Sequence, residues 1–217
     1  SQKEPADNQI IEADDMFSQP VMAAAEKITD LELGLDFELS RGRIRLNGYR
    51  IQFLNEQLKN IDIEQEGEYD YYTADSTEHT GFEWEAYYIF NPKVSFSANG
   101  AYMLNLFSNG NFLPNIPLTL FNFSTTYNYS KNIKLFAQLK RTGRMYVDQD
   151  NNEAGEIKAN TLLNLAASYQ YNDLELMLKI DNVFDTLYST YGYGYEHNGY
   201  QAYFWPGATR YTYLSLT

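Results

Sequence analysis

An all-β chain is predicted: antiparallel strands in up-and-down order that cross a membrane as part of a transmembrane β-barrel. Three observations lead there. Apolar and polar residues alternate with period two in one segment after another, the pattern of a strand with one greasy and one wet face. The connections between those segments are alternately short and long, as in a meander whose two ends face different compartments. Tyrosine and phenylalanine, 20 and 13 of 217 residues, suit strands and suit the boundary between lipid and water. No apolar run approaches the ~18–20 residues that a membrane-spanning helix needs. A β-barrel has no use for one, because its strands alternate between lipid and lumen.

Nine segments read as strands. In 31–40, Leu31, Leu33, Leu35, Phe37 and Leu39 alternate with Glu32, Gly34, Asp36, Glu38 and Ser40. The second, 43–56, starts with Ile44 and Leu46 on one face and continues with Tyr49, Ile51 and Phe53 on the other. A β-bulge near Gly48 is the expected cause of that slip. In 77–90, Phe82, Trp84, Ala86, Tyr88 and Phe90 stand against Glu83 and Glu85. In 93–104, Val94, Phe96, Ala98, Gly100, Tyr102 and Leu104 alternate with Lys93, Ser95, Ser97 and Asn99. Segment 117–130 carries Phe121, Phe123, Thr125, Tyr127 and Tyr129, and 133–140 carries Ile133, Leu135, Ala137 and Leu139. Segment 159–171 carries Leu163, Leu165, Ala167, Tyr169 and Tyr171. In 173–181, Leu174, Leu176, Leu178 and Ile180 alternate with Glu175, Met177, Lys179 and Asp181. The last segment, 208–217, contains Tyr211, Tyr213, Leu214 and Leu216. One short helix is expected in 18–27, where Val21, Met22 and three alanines stand together.

Four connections are tight, at Arg41-Gly42, Asn91-Pro92, near Lys131 and near Asn172; four are long, 57–76, 108–116, 148–158 and 187–207. By the barrel rule the short ones are periplasmic and the long ones extracellular. Aromatics gather at both ends: Phe90, Tyr129 and Tyr171 by the short turns, Phe53, Phe82, Phe107, Tyr146 and Tyr188 by the long loops. Such rings form interfacial girdles; the plain strand preference of tyrosine is the competing reading. Nine antiparallel strands leave the first and last pointing the same way, so self-closure needs a parallel seam. Open edges would leave backbone groups unpaired in lipid, at several kcal/mol each. Further strands from an N-terminal portion are expected to complete the cylinder. Residues 1–30 are then expected to be an extracellular loop segment, and 31–217 the barrel strands.

Composition removes several function classes. With 16 basic and 29 acidic side chains the formal charge is −13, the wrong sign for binding nucleic-acid phosphates. The absence of cysteine excludes a disulfide scaffold, a thiolate metal site and a cysteine nucleophile. His79 and His197 alone are too few for a multi-histidine metal site. No G-x-S-x-G, P-loop or zinc motif is present. No catalytic residue, metal site or cofactor is expected. The carboxylates Glu64, Glu66, Glu68, Asp70, Asp75 and Glu78 read as a solvated loop, with a divalent-cation site as the competing reading, because their spacing matches no calcium loop. The stretch 148–156 reads the same way. Glu83 with Glu85, and Lys179 with Asp181, project to the wet side and either keep a lumen hydrated or contact whatever fills it.

The stretch 174–188, LELMLKIDNVFDTLY, carries Asn182, Val183, Phe184, Asp185 and Tyr188 in an N-hydrophobic-F-D-x-x-Y box. It resembles the penultimate strand of TonB-dependent outer-membrane receptors. Further on, YQAYFWPGATR at 200–210 resembles that family's loop and last strand, with Pro206 ahead of Arg210. Glu32-Leu33-Gly34 and Gly81-Phe82-Glu83-Trp84-Glu85 resemble its strand openings. The chain ends on Thr217 rather than on the family's customary terminal aromatic. The resemblance implies the C-terminal nine strands of a barrel of about 22 strands, plugged by an N-terminal domain, in the outer membrane of a Gram-negative bacterium. It implies energised uptake of a scarce nutrient, a ferric siderophore or similar large ligand. The implied partners are the plug and N-terminal strands of the same receptor, a TonB-type energy-coupling protein, and outer-membrane lipid and lipopolysaccharide. The alternatives are a passive porin and a soluble β-rich carbohydrate-binding module.

The candidate ligand site is the last long loop. Tyr191, Tyr193, Tyr195, Tyr200, Tyr203 and Trp205 crowd there, joined by Tyr188, Phe204 and His197. Aromatic rings with polar tips suit a large amphipathic ligand. The same rings also suit an outer girdle or a loop packed on itself.

Overall fold

The computed structural model describes residues 2–3, 10–11, 21–22, 24–61, 69–196 and 198–217. Strand β1 (Glu26–Leu39) is followed by β2 (Gly42–Ile61), β3 (Tyr69–Asn91), β4 (Val94–Phe107), β5 (Thr119–Asn128), β6 (Ile133–Thr142), β7 (Asn160–Tyr171), β8 (Leu174–Asp181) and β9 (Tyr211–Leu216). Each pairs antiparallel with its sequence neighbour, giving one meandering sheet with β1 and β9 toward opposite edges. A two-residue strand, Gln2–Lys3, adds to the free edge of β1. The predicted order of nine strands is the observed one.

The period-two pattern builds the two faces. Through successive registers Phe37, Ile44, Ala86, Ala98, Phe123, Leu139 and Leu163 form one apolar row. One residue along, Asp36, Arg45, Glu85, Asn99, Asn122 and Lys140 form a polar row on the opposite face. The polar row is cross-linked: Arg45 Nη1 donates to Glu85 Oε1 at 3.3 Å, and Asn122 Nδ2 donates to Asn99 Oδ1 at 3.0 Å. Arg43 bridges to Asp36 beside them. Among the described residues no second sheet packs on the apolar face, and Leu31 and Leu33 stand 71% and 72% exposed. An open leucine face of this extent is unstable in water and stable against acyl chains. Residues 31–39 of β1 make about 30 Å of strand, which at a tilt of about 40° spans about 23 Å, close to the ~25 Å apolar band of a barrel.

Short connections lie at one end and long ones at the other. Ser40-Arg41, Pro92-Lys93 and Asn172-Asp173 are two-residue turns, the last with Asn172 at φ 52°. The β5–β6 turn, 129–132, is nearly as short.

Several expectations need correction. The helix expected in 18–27 is absent from the described part: Val21–Met22 is extended and Glu26 already opens β1, five residues before the alternation shows. Three alanines favour a helix only weakly against a ladder that extends to Glu26. The bulge near Gly48 does not exist either, because the β1–β2 and β2–β3 registers run unbroken from Gly42 to Leu54. What changes at Gly48 is the surroundings. Beyond it the formerly apolar face carries Arg50, Gln52, Glu78 and Thr80, and the formerly polar face carries Tyr49, Ile51 and Phe53. The lipid band ends there, and the strands continue into water. The expected 57–76 loop is therefore mostly hairpin: β2 and β3 are 20 and 23 residues long. Residues 62–68, with Glu64, Glu66 and Glu68, lie outside the described residues, as does most of 1–30. The expected 187–207 loop is also a hairpin, Ser189–Glu196 with Tyr200–Pro206.

Candidate functional site

At the long-loop end three connections fold onto one another. Met145, Val147 and Ile157 of the β6–β7 connection form a small buried core, with Ala202 of the 189–206 hairpin packed against it. Leu113 of the β4–β5 connection is 2% exposed. Asparagines join the three by mimicking backbone. Asn115 Nδ2 donates to the Gly192 carbonyl at 2.9 Å, and its Oδ1 accepts from Gly192 N at 3.0 Å. Asn151 treats Phe112 the same way, at 2.9 Å and 2.6 Å. Both asparagines sit at positive φ, 59° and 55°, a conformation that asparagine tolerates better than most residues. Tyr200 completes the joint: its hydroxyl donates to Asp148 Oδ2. Burial first, then that hydrogen bond and the Asp148 charge, raise the Tyr200 hydroxyl above its ordinary pKa. Asp148 Oδ1 also accepts from the backbone N–H of Asp150 (2.9 Å) and Asn152 (3.2 Å). The stretch expected only to be solvated is thus held by Asp148.

The predicted aromatics separate by strand parity. Tyr191, Tyr193 and Tyr195 share one hairpin face with Tyr203 and Trp205. Their rings form a ladder: Tyr191–Trp205 at 5.3 Å, Tyr193–Trp205 at 5.4 Å, Tyr193–Tyr203 at 5.2 Å and 11°, Tyr195–Tyr203 at 6.1 Å and 2°. The Tyr195 and Tyr203 hydroxyls both donate to Gln201 Oε1 at 3.2 Å. Tyr200 and Phe204 belong to the opposite face, with Gly192 and Gly194. That face meets the loop core closely: a Cβ on Gly192 would lie 2.6 Å from Val147 Cγ1. So five of the candidates are brought together and Tyr200 is turned into the joint; His197 lies outside the described residues.

The 182–188 box has a structural role. Asn182 is 3% exposed and at φ 51°. Its Nδ2 donates to the carbonyls of Thr186 (2.9 Å) and Ala208 (3.1 Å), and its Oδ1 accepts from Thr186 N at 2.9 Å. Asp185 Oδ1 accepts from Arg210 N at 2.7 Å, and Arg210 Nη1 reaches the Val183 carbonyl at 3.5 Å. Tyr188 lies over Gly207, where a Cβ would come within 2.1 Å of its ring. Phe184 is 72% exposed. These residues tie the end of β8 to the start of β9.

A buried polar cluster that sequence reasoning missed sits on the long β2–β3 hairpin, above the apolar band. His79 Nδ1 lies 2.8 Å from Asn105 Oδ1, and His79 Nε2 lies 3.2 Å from Glu56 Oε2, which also accepts from Thr77 Oγ1. Phe53 packs edge-on to the imidazole at 5.0 Å. Burial alone would lower the His79 pKa; the Glu56 bond and charge, with the Asn105 bond, outweigh it and hold the imidazole above its ordinary value. Asn55, at φ 57°, marks the turn that brings Glu56 to this side. The out-of-phase Phe53, Glu56 and His79 were the available signal. Among the described residues no group of three metal-ligating side chains occurs.

Between this hairpin and the joined loops lies a cavity of about 450 Å³, bounded by Leu58 and Tyr72 on one side and by 113–116, 147–150 and Tyr191, Gly192 and Gly194 on the other. Burial, with a smaller contribution from Glu56, pushes the Tyr72 hydroxyl up to about 12, so it is a neutral donor at physiological pH.

The sequence model of the family described as TonB dependent receptor-like, beta-barrel matches residues 13–183. Among solved structures, the chain is similar to the ferric yersiniabactin uptake receptor FyuA from Yersinia pestis, 22% identical, covering 91% of this chain and 30% of that one, with a TM-score of 0.74. It is similar to the siderophore receptor PiuA from Acinetobacter baumannii, 19% identical over 97% of this chain and 30% of that one, with a TM-score of 0.71. The copper transporter OprC is 17% identical over 89% of this chain and 32% of its own, with a TM-score of 0.69. At these identities the likeness is one of fold, and the chain spans 30–32% of the length of these receptors. No curated protein matches the chain.

Proposed function

The chain belongs to the TonB-dependent receptor-like β-barrel family, and from this premise we propose that it is the C-terminal barrel portion of an outer-membrane receptor for energised nutrient uptake. One observation carries the reading: an uncovered apolar face about one bilayer tall, backed by a cross-linked polar face, on strands whose long connections all lie at one end. In this reading the apolar face meets outer-membrane lipid and lipopolysaccharide, the short turns are periplasmic, and the long loops are extracellular, together with the segment ahead of β1. The polar face would line a lumen filled by the receptor's plug domain. Glu83 and Glu85 stand on that face, as do Lys179 and Asp181, paired at 2.8 Å. N-terminal strands of the same receptor would complete the ring, since backbone edges left open in lipid cost several kcal/mol per group.

The barrel needs no catalytic residue for this work. Binding happens at the extracellular loops, and release follows when a TonB-type partner pulls on the plug. The aromatic ladder of Tyr191, Tyr193, Tyr195, Tyr203 and Trp205 is assigned as a ligand-contacting surface, and His197 is assigned with it from the sequence. A ferric siderophore or similar large amphipathic chelate suits rings with polar tips. The test is uptake by cells that carry the full-length receptor. Accumulation of a ferric chelate should be lost when the energy-coupling protein is deleted and reduced when Trp205 and Tyr203 are replaced by alanine. Accumulation that continues undiminished without the coupling protein would contradict the proposal and favour a passive pore.

A further inference from the structure

His79 of β3 faces two acceptors at once. Its Nδ1 lies 2.8 Å from Asn105 Oδ1 on β4, and its Nε2 lies 3.2 Å from Glu56 Oε2 on β2. Neither oxygen has a proton to give while Glu56 is ionised. Both bonds therefore require an N–H on each ring nitrogen, which only the imidazolium has. Loss of one proton leaves a ring lone pair aimed at an oxygen, and it leaves the Glu56 carboxylate without its cation. Water offers little relief in place: the Glu56 and His79 side chains are 12% and 16% exposed, and Thr77 and Asn105 are buried. An uncompensated charge in such surroundings is strongly disfavoured. The other groups around the imidazole are Phe53 of β2 and Thr77 of β3, whose hydroxyl donates to Glu56. Tyr72 of β3 feels the Glu56 charge and keeps its proton. Glu26 of β1 is buried against the same hairpin, where its Oε2 accepts from Gln57 N at 3.2 Å. Arg50 and Glu78 bind one another on the opposite face.

The cluster sits where the hairpin has a joint. The β2–β3 ladder passes from Leu54–Ser76 to Glu56–Ala74 and leaves out Asn55, at φ 57°. Beyond this gap, 56–61 and 69–74 form an arm that carries Leu58 and Tyr72 to the wall of the 450 Å³ cavity. Two bonds without the imidazole tie the root of the arm to the start of β1: Asn55 Nδ2 donates to the Ala25 carbonyl at 3.3 Å, and Glu26 holds Gln57 N. The remaining tie at the root is Glu56, held by Thr77 and His79. His79 is in turn fixed by Asn105, whose carbonyl accepts from Leu113 N at 2.8 Å in the cavity's opposite wall. One contiguous path of contacts thus runs from the root of the arm through the imidazole to the joined loops. We propose that His79 is a proton-operated latch: charged, it clamps Glu56 and keeps the arm against the cavity; neutral, it releases Glu56 to water, and the arm swings out about Asn55. The device goes beyond the uptake reading and is independent of what the ligand is.

The test uses the full-length receptor in outer-membrane fragments, with nitroxide labels on Thr73→Cys in the arm and Gln149→Cys in the β6–β7 connection, both exposed positions. Any other cysteine of the receptor is replaced by serine. Pulsed electron resonance reads the label separation at about pH 5.5 and about pH 8.5, either side of the histidine range. One short separation is expected at the lower pH, and a longer one should gain about tenfold in relative population at the higher pH. His79→Gln should abolish that change. Glu56→Gln should keep the short separation at both pH values, because an amide can donate to the neutral ring or accept from the charged one. A distribution that does not respond to pH, a longer separation at low pH, a response that survives His79→Gln, or loss of the short separation in Glu56→Gln overturns the proposal. The pH series on the unsubstituted cluster and on Glu56→Gln decides the matter even where His79→Gln fails to assemble.

Discussion

Asn182 shows how much one side chain organises at the end of β8. It is buried, and its amide satisfies three backbone groups on Thr186 and Ala208. Asn182→Ala strands those groups, at a cost of about 2–3 kcal/mol. The expected result is faster protease cleavage within 183–188 while the rest of the barrel keeps its heat-modifiable mobility. The box was legible as a motif, but its partners Ala208 and Arg210 lie 26 and 25 residues away in sequence, a separation that no local pattern encodes. His79 was legible only as one of two histidines. Its raised pKa places the stabilising contribution below the ordinary histidine value, and that contribution is lost as pH rises through the higher folded value. Amide exchange at 53–57 and 77–79, corrected for intrinsic rates, should therefore speed up between about pH 6 and about pH 8. His79→Gln should abolish that pH dependence, and exchange that slows over the same range would contradict the Glu56–His79 assignment.

Among the elements, Gly192 sets how closely the 189–206 hairpin meets the loop core. A Cβ there would lie 2.6 Å from Val147 Cγ1 and 2.7 Å from the Tyr203 carbonyl oxygen. Gly192→Ala should push the hairpin off at a cost of about 1–3 kcal/mol, seen as earlier thermal loss of hairpin protection with the sheet unchanged. Strands β1 and β8 were plain in the sequence because their leucines alternate against charged residues. The 189–206 hairpin was hidden by its richness in glycine and tyrosine, which reads as loop. Yet Tyr191, Tyr193 and Tyr195 alternate strictly with Gly192 and Gly194, a period-two signal made of ring and no ring. The upper part of β3 escaped notice for another reason. Outside the membrane neither face needs to be greasy, so Asp70, Thr73 and Asp75 carry no alternation although the backbone ladder continues. The apparent slip at Gly48 has the same origin: the faces exchange chemistry where lipid gives way to water, at an unbroken register.

For the molecule as a whole, the account turns on which face meets lipid. Every large-scale inference depends on it: the direction of the loops, the wet lumen, and the need for further strands. Residues 1–217 contain no cysteine, so a cysteine introduced here is unique within this portion. Single cysteines introduced one at a time from Leu31 to Ser40 in the full-length receptor can be labelled in intact outer membranes with an environment-sensitive fluorophore. They can then be challenged with a lipid-dissolved quencher and with a water-soluble one. The account predicts lipid quenching at 31, 33, 35, 37 and 39 and aqueous quenching at 32, 34, 36 and 38. Uniform quenching along the strand, or aqueous quenching at the leucine positions, would contradict it.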